Sequence, residues 1–199
     1  MRGARFFDVL TRLIGLDEAS RCLRKICKID QLDAQFHEQI SNFEALAFYV
    51  YSTANGWHSY INRELWSGHP NPDVTAFAEV LNTALGKIAA ITGKPSTVFR
   101  GYHSEDLSAF SASYAEGQIV RFPAFTSASF SETSAFGGNV LFIIRALSAR
   151  AIWWLSPNFH EEEALLPTDC SFQVIDKELR SLSAEARLVI ILQELTRRP

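Results

Sequence analysis

The sequence lacks several features that would assign it to a specialised class of protein. No apolar run reaches the roughly 18 residues that a membrane-spanning helix needs, so stable membrane insertion is not expected. Its 19 basic residues do not exceed its 22 acidic residues, and without a basic surplus nucleic acid is not an expected partner. The apolar run after Arg5 is broken by Asp8 and Arg12, so no classical signal peptide is expected. We therefore expect a cytoplasmic protein, or one exported by a specialised route.

Cysteine is scarce as well. The three residues Cys22, Cys27 and Cys170 include no Cys-x-x-Cys pair. An odd number without that spacing argues against a disulfide framework and against a structural zinc site. The five histidines are scattered along the chain, so no metal is expected.

What is present is typical of one globular domain. The chain has 199 residues, of which 47% are hydrophobic and 21% charged, and no repeat or linker divides it. We predict a single domain over 1–199 and a monomer. Positive charge concentrates near the start, and this cluster is either a solvated helix face or a contact surface for an acidic partner or a membrane. It comprises Arg2, Arg5, Arg12, Arg21, Arg24, Lys25 and Lys28.

Helical periodicity dominates residues 1–95. It predicts helices over 4–15, 17–28, 31–54, 57–66 and 72–92. The helix over 72–92 has the clearest boundaries, because Asn71 is a good N-cap, Pro72 suits a first turn and Gly93 suits a helix end.

Short β-rich runs fill residues 96–199. They lie at 97–102, 118–126, 139–145, 150–155, 163–167, 171–176 and 187–195. Helices followed by strands indicate an α+β domain, with a mainly helical layer over 1–95 and a β-rich core over 96–199.

Three acidic residues, Glu161-Glu162-Glu163, form the first chemical motif. If a strand begins near Glu161, Glu161 and Glu163 lie on one face, roughly 6–7 Å apart, and can hold different roles. The alternative is a capped helix start, because Ser156-Pro157 precedes the acids and Glu is favoured in a first helical turn.

Two further motifs lie upstream. Arg100 and Gly101 stand within an apolar β run, where a guanidinium suits a phosphate and a glycine admits close approach of a ligand. Ser127 and Ser129 would share one face of a strand and could orient a buried carboxylate. The alternatives are an arginine paired with a structural carboxylate, and a polar strand end.

The order Arg, Ser-x-Ser, Glu-x-Glu resembles the R-S-E class of ADP-ribosyltransferases, which includes clostridial binary toxins, bacterial effectors and vertebrate ecto-enzymes. The resemblance covers roughly residues 45–176. Ala128 departs from the usual Thr of the family's Ser-Thr-Ser motif, and the segment between Ser129 and Val140 is short. The segments that carry the resemblance are Tyr51-Ser52 through Ile61-Asn62, Arg121-Phe122, Phe125 through Ser129, Leu141 through Arg145, Ala151-Ile152 and Glu161 through Pro167.

The resemblance implies a fold of N-terminal helices on a split β-sandwich of two small, mainly antiparallel sheets. It also implies NAD as the donor of ADP-ribose, an arginine-bearing target protein as acceptor, and no metal. The implied catalytic residues are Glu163, Glu161, Ser127 and Arg100. The implied NAD contacts are Arg100, Gly101, Ser127 and Phe136, with Phe130 as the alternative ring that stacks on nicotinamide.

The implied roles follow the chemistry of each group. Glu163 would stabilise the positive charge that develops on the ribose, and Ser127 would orient it. Glu161 would position the acceptor arginine, and the stretch 153–160 would contact the target protein. The competing functions are an NAD glycohydrolase with the same site, in which water is the acceptor, and an inactive binding module of the same fold.

Overall fold

Two compact units contain the part of the chain that the computed structural model describes, which is residues 3–27, 40–53, 55–88, 96–135, 137–152, 162–182 and 185–196. The described residues up to Ile88, together with Ile152, form the first unit. The remaining described residues, from Ser96 onwards, form the second. That the whole chain is a single domain stays a prediction.

The first unit is built of helices. Phe6 of the first helix packs on Phe77 of the fifth, with ring centroids 6.0 Å apart, and both side chains are fully buried. The helices predicted over 4–15, 17–28 and 57–66 are confirmed to within two residues. The described helices are α1 (Gly3–Ile14), α2 (Leu16–Ile26), α3 (Asn42–Ser52), α4 (Trp57–Trp66) and α5 (Pro72–Lys87).

The predicted helix over 31–54 is wrong at Ile40 and Ser41, which are not helical. Ser41 has an extended backbone and caps α3, with its hydroxyl accepting a hydrogen bond from the Glu44 amide while the Glu44 carboxylate accepts one from the Ser41 amide. This reciprocal capping box fixes the first residue of α3 at Asn42. Residues 28–39 lie outside the described ranges.

The predicted helix over 72–92 begins as expected and ends early. The Asn71 side chain accepts a hydrogen bond from the Asp73 amide at 2.8 Å, and Pro72 is the first helical residue. The helix ends at Lys87 because Gly86 weakens its last turn and the buried Ile88 has an extended backbone. Gly93 therefore does not close this helix.

Two of the N-terminal basic residues form ion pairs within the first unit. Arg12 donates to the Asp73 carboxylate and Arg21 donates to Glu18, and both pairs are largely exposed. Arg2 and Lys28 lie outside the described ranges. A contact role for this basic cluster stays a prediction.

In its described residues, the second unit has eight strands and one short helix. The strand order in the sheet is β2-β7-β8-β4-β1-β3-β6-β5. Its adjacent strands pair antiparallel apart from β4 and β8, which pair parallel. The elements are β1 (Ser96–Tyr102), α6 (Leu107–Ala112), β2 (Ile119–Phe122), β3 (Thr126–Ser129), β4 (Val140–Ala146), β5 (Arg150–Ala151), β6 (Glu163–Leu166), β7 (Cys170–Leu182) and β8 (Glu185–Glu194).

This sheet has two parts that meet at one point. The five strands from β2 to β1 form one part and β3, β6 and β5 form the other, and the register joins β1 to β3 through the single pair Phe99 and Ser129. Both parts contribute to one apolar core, which includes Val98, Phe172, Ala128 and Ala164. The α+β fold with mainly antiparallel strands is thus confirmed, and the strands form one eight-stranded sheet whose two parts meet at this pair.

Several strand boundaries differ from the sequence prediction. The run 118–126 divides into β2 and the start of β3, because Pro123 cannot donate to a strand ladder. Strand β7 continues to Leu182, beyond the predicted 176, and β5 is shorter than the predicted 150–155. The helix α6 was not predicted, since six residues are too few to show a periodicity.

Candidate functional site

Strand β3 carries the Ser-x-Ser motif and lies next to both other motifs in the sheet. Ala128 belongs to the apolar core of the second unit, so strand alternation directs Ser127 and Ser129 to the opposite face. Thr126 is buried, Ser127 is partly exposed, and Ser129 is only 2% exposed.

Glu163 is the first residue of β6 and lies directly across from Ser129 in the antiparallel register. The next residue, Ala164, belongs to the apolar core, so Glu163 shares the opposite face with the two serines. Its side chain is 9% exposed. Ser127 pairs with Leu165 and is a diagonal neighbour of Glu163, within reach of a long side chain.

Arg100 approaches β3 from strand β1. Its Nη1 donates a hydrogen bond of 2.7 Å to the carbonyl oxygen of Ser127. A guanidinium carries five N–H donors, so a bond to a carbonyl and bonds to an anion are compatible. Arg100 therefore contacts the main chain of the Ser-x-Ser segment. Glu163 lies opposite Ser129, which is the last residue of that segment.

The two described acids, Glu162 and Glu163, do not form the alternative helix start, and only Glu163 lies in a strand. Glu163 is in β6, whereas Glu162 has a left-handed backbone with φ +43°. The capped-helix alternative is wrong for these two residues. The strand does not extend from Glu163 back to Glu162, because a left-handed residue interrupts the pleat. That Glu161 shares a face with Glu163 stays a prediction. Glu161 itself lies outside the described ranges.

The remaining predicted NAD contacts are distributed around β1 and the end of β3. Gly101 follows Arg100 and pairs with Leu141 of β4. Phe130 follows β3, is partly buried against the apolar core, and donates its amide to the carbonyl of Glu162 at 3.2 Å. Phe136, Trp153, Trp154, Phe159 and His160 lie outside the described ranges.

Sequence reasoning missed the attachment of the segment before β4 to the segment after β1. The Asn139 side chain accepts from the Ser104 amide at 2.8 Å and donates to the Ser104 carbonyl at 2.7 Å. A Cβ at Gly138 would lie 2.2 Å from the carbonyl oxygen of Tyr102, so only glycine fits there. The Gly137-Gly138-Asn139 sequence was the available signal, because such residues mark turns.

An aromatic group on the core side of β1 was also missed. Tyr102 stacks on Phe110 with ring centroids 5.1 Å apart, and Phe110 contacts Tyr114 and Phe142. Burial, together with the nearby Tyr102, raises the pKa of Tyr114 to about 12, although the charge of Arg100 opposes both effects. Tyr114 is therefore a neutral neighbour of Arg100 at physiological pH.

The described part of the chain offers a carboxylate, two hydroxyls and a guanidinium, and no described group of three or more His, Cys, Asp or Glu residues could hold a metal ion. A fixed carboxylate stabilises positive charge that develops on a substrate, and a guanidinium suits a phosphate. Within the same ranges, no helix is both long and apolar enough to cross a bilayer.

Comparison with known proteins agrees with this chemistry. The sequence model of a family described as NAD:arginine ADP-ribosyltransferase matches residues 15–198. Comparison with curated proteins gives no significant match.

Solved structures resemble the fold at low sequence identity. The type III effector XopAI from Xanthomonas axonopodis pv. citri has a TM-score of 0.76 at 20% identity, covering 98% of this chain and 87% of that chain. Exoenzyme S from Pseudomonas aeruginosa, in complex with human 14-3-3 protein beta and carba-NAD, has a TM-score of 0.72 at 19% identity, covering 98% and 89%. The eukaryotic mono-ADP-ribosyltransferase ART2.2 has a TM-score of 0.69 at 20% identity, covering 100% and 86%.

Proposed function

The chain belongs to the NAD:arginine ADP-ribosyltransferase family, whose enzymes use NAD as substrate, and we propose that it transfers the ADP-ribose of NAD to an arginine of a target protein. The observation that carries the proposal is the convergence on β3. Arg100 bonds to the carbonyl of Ser127, and Glu163 lies opposite Ser129. The three motifs, far apart in sequence, thus adjoin one four-residue strand.

The donor half of the reaction breaks the bond between nicotinamide and C1′ of the ribose. The bonding electron pair leaves with nicotinamide, and positive charge develops on the sugar. Glu163 stabilises that charge more strongly in the transition state than in the ground state. Ser127 orients Glu163, Arg100 holds the diphosphate, Gly101 contacts the nicotinamide amide, and Phe136 or Phe130 stacks on the leaving ring.

The acceptor half forms a bond from a guanidinium nitrogen to C1′. The arginine must lose a proton as it attacks, because its pKa lies above about 12. Glu161 supplies a carboxylate that both orients the guanidinium through two parallel hydrogen bonds and accepts this proton. The products are nicotinamide, the ADP-ribosylated arginine and one proton.

The proposal is tested by incubating the protein with NAD and cell lysates and identifying the modified residues by mass spectrometry. We expect ADP-ribose on arginine side chains. Release of nicotinamide without any labelled protein would make the chain an NAD glycohydrolase. Absence of nicotinamide release would make it a binding module of the same fold.

Two variants test the donor half and the acceptor half of the reaction separately. Glu163→Gln is expected to reduce both transfer and NAD hydrolysis by at least about a hundredfold, since charge stabilisation is lost. Glu161→Ala is expected to lose transfer while it keeps part of the NAD hydrolysis. Substantial activity in Glu163→Gln would remove Glu163 from the centre of the mechanism, and equal loss of both activities in Glu161→Ala would contradict the division of roles.

The site of action belongs to the same proposal. A relative in fold, XopAI, is a type III effector. We propose that this chain is likewise a secreted effector that acts on a protein in the cytoplasm of a target cell. Detection of ADP-ribosylated protein in target cells exposed to a secreting strain, and its loss with Glu163→Gln, tests this.

A further inference from the structure

The residue between the two proposed catalytic carboxylates has an unusual backbone. Glu162 has φ +43°, which residues other than Gly, Asn and Asp rarely adopt. The residue is exposed, so burial of its side chain does not account for this conformation. Strained residues of this kind persist where their surroundings hold them, and they concentrate at functional sites.

Hydrogen bonds connect the main chain of Glu162 to the end of β3. The Phe130 amide donates to the Glu162 carbonyl at 3.2 Å, and the adjacent residues Ser129 and Glu163 pair in the sheet. The Ser131 amide donates to Ser129 Oγ at 3.1 Å. The turn after β3 and the residue before β6 therefore form one hydrogen-bonded corner.

The left-handed residue decides how the chain enters β6. In an extended strand, the residues on either side of position 162 would project to one face. A left-handed residue turns the chain instead, so the direction of residue 161 relative to Glu163 depends on φ at position 162. We propose that Glu162 is a positioning residue that acts through this backbone conformation and sets the direction in which the chain enters β6 at the donor-side Glu163.

This inference rests on the proposed function and deepens it. Of the two carboxylates, hydrolysis of NAD needs only Glu163, whereas transfer needs Glu163 and the acceptor-side segment in one geometry. A change of conformation at position 162 therefore lowers the ratio of transfer to hydrolysis. The Glu162 carboxylate does not contribute to this ratio, so removal of the carboxylate alone leaves the ratio unchanged.

Four substitutions separate the backbone from the side chain. Glu162→Gln removes the charge, and Glu162→Asn and Glu162→Gly remove it while favouring a left-handed backbone. Glu162→Val is β-branched and disfavours that conformation. We expect the first three to keep the ratio of arginine transfer to NAD hydrolysis within about threefold of wild type, and Glu162→Val to lower it by about tenfold or more, because small misplacements at a reacting centre have effects of this size.

Asp169 provides the matched control. It is a non-glycine residue with φ +60°, in the turn between β6 and β7, and it is exposed like Glu162. Asp169→Val is expected to lower the melting temperature without changing the ratio. Hydrogen exchange at the Phe130 amide supplies a readout besides activity, since Glu162→Val should lose its protection and Glu162→Asn should keep it.

The outcomes distinguish this inference from the function on which it rests. A wild-type protein that modifies no arginine overturns the proposed function and the inference with it. An active wild type whose ratio and Phe130 protection survive Glu162→Val overturns the inference alone. An equal fall of the ratio in Glu162→Gln and Glu162→Val also overturns the inference, because the carboxylate and not the backbone conformation would then determine the ratio.

Discussion

Ser127 and Ser129 have different positions relative to Glu163 although they share one face of β3. Ser129 is almost fully buried, lies directly across from Glu163, and accepts a hydrogen bond from the Ser131 amide. Ser127 is partly exposed and lies diagonally. The proposed role in orienting Glu163 and the structural role in the turn after β3 can therefore be separated by mutation.

Ser127→Ala is expected to lower kcat by roughly 10–100-fold with little change in stability. A hydrogen bond to a charged group is worth about 1.5–3 kcal/mol, and because Ser127 is partly exposed, water can take the place of its hydroxyl in the folded protein. Initial rates of nicotinamide release and thermal unfolding measure the two effects.

Ser129→Ala is the matched comparison. It removes the acceptor of the Ser131 amide and is expected to lower the free energy of unfolding by about 1–2 kcal/mol as well as the rate. If Ser127→Ala keeps full activity while Ser129→Ala loses it without unfolding, Ser129 and not Ser127 orients Glu163.

At the scale of elements, helices α3 and α5 are joined by a buried carboxylate. Glu44 is 8% exposed, and its carboxylate accepts hydrogen bonds from the Ser41 amide, the Ser41 hydroxyl and Lys87. Burial acts to raise the pKa of Glu44, but these bonds and the charge of Lys87 outweigh it, and the pKa is lowered. The ionised carboxylate therefore links the start of α3 to the end of α5.

Lys87→Met is expected to lower the free energy of unfolding at pH 7 by about 1–3 kcal/mol. Loss of one partner from a fully buried pair costs about 3–5 kcal/mol, and the partial exposure of Lys87 reduces this. Because the folded pKa of Glu44 is depressed, the stabilisation is present above the unfolded pKa of about 4.3 and is lost as the pH falls through the folded pKa. The difference between wild type and variant should thus shrink below about pH 4, as followed by urea unfolding.

The exposed pair of Arg121 and Asp169 is the control for this prediction. Arg121→Met should change the free energy of unfolding by less than about 1 kcal/mol, because exposed ion pairs contribute little. A similar loss in both variants, or a loss in Lys87→Met that persists at pH 3, would show that Glu44 is not stabilised by its charge.

Local signals predicted where elements begin better than where they end. Asn71-Pro72 located the start of α5, whereas its end depended on the extended backbone of buried Ile88. The pattern Ser41-x-x-Glu44 was a readable capping box, but the apolar periodicity that continued across it suggested one long helix. The conformation of Glu162 had no signal in the sequence, because glutamate is not a left-handed residue by preference.

At the scale of the whole molecule, the sequence predicted the α+β class but not the pairing of strands. Strands β2 and β3 are neighbours in the chain, yet β2 lies at one end of the sheet order and β3 lies between β1 and β6. Alternation of polar and apolar residues predicts the face of the sheet on which a side chain lies. The partner of a strand depends instead on contacts between distant segments. The order of the three motifs resembles that of a known family, and this resemblance predicted the fold and the site residues, which local patterns could not.

Binding of NAD should stabilise the whole folded chain. A ligand at about a hundred times its Kd contributes about 2.7 kcal/mol to the free energy of unfolding. For a chain of this size that corresponds to a rise in Tm of about 5–10 °C. The measurement uses Glu163→Gln, in which NAD is not consumed, and follows thermal unfolding as NAD is added.

Arg100→Lys in the Glu163→Gln background should lose most of this rise, since an ammonium cannot reproduce the fork that a guanidinium offers to a diphosphate. Arg145→Lys in the same background is the matched control, because Arg145 is an exposed arginine on the neighbouring strand β4. Free nicotinamide, which has no phosphate, should give a rise that is the same in all three proteins. If Arg100→Lys keeps the full response to NAD, then Arg100 does not hold the diphosphate, and its hydrogen bond to the Ser127 carbonyl is its main role.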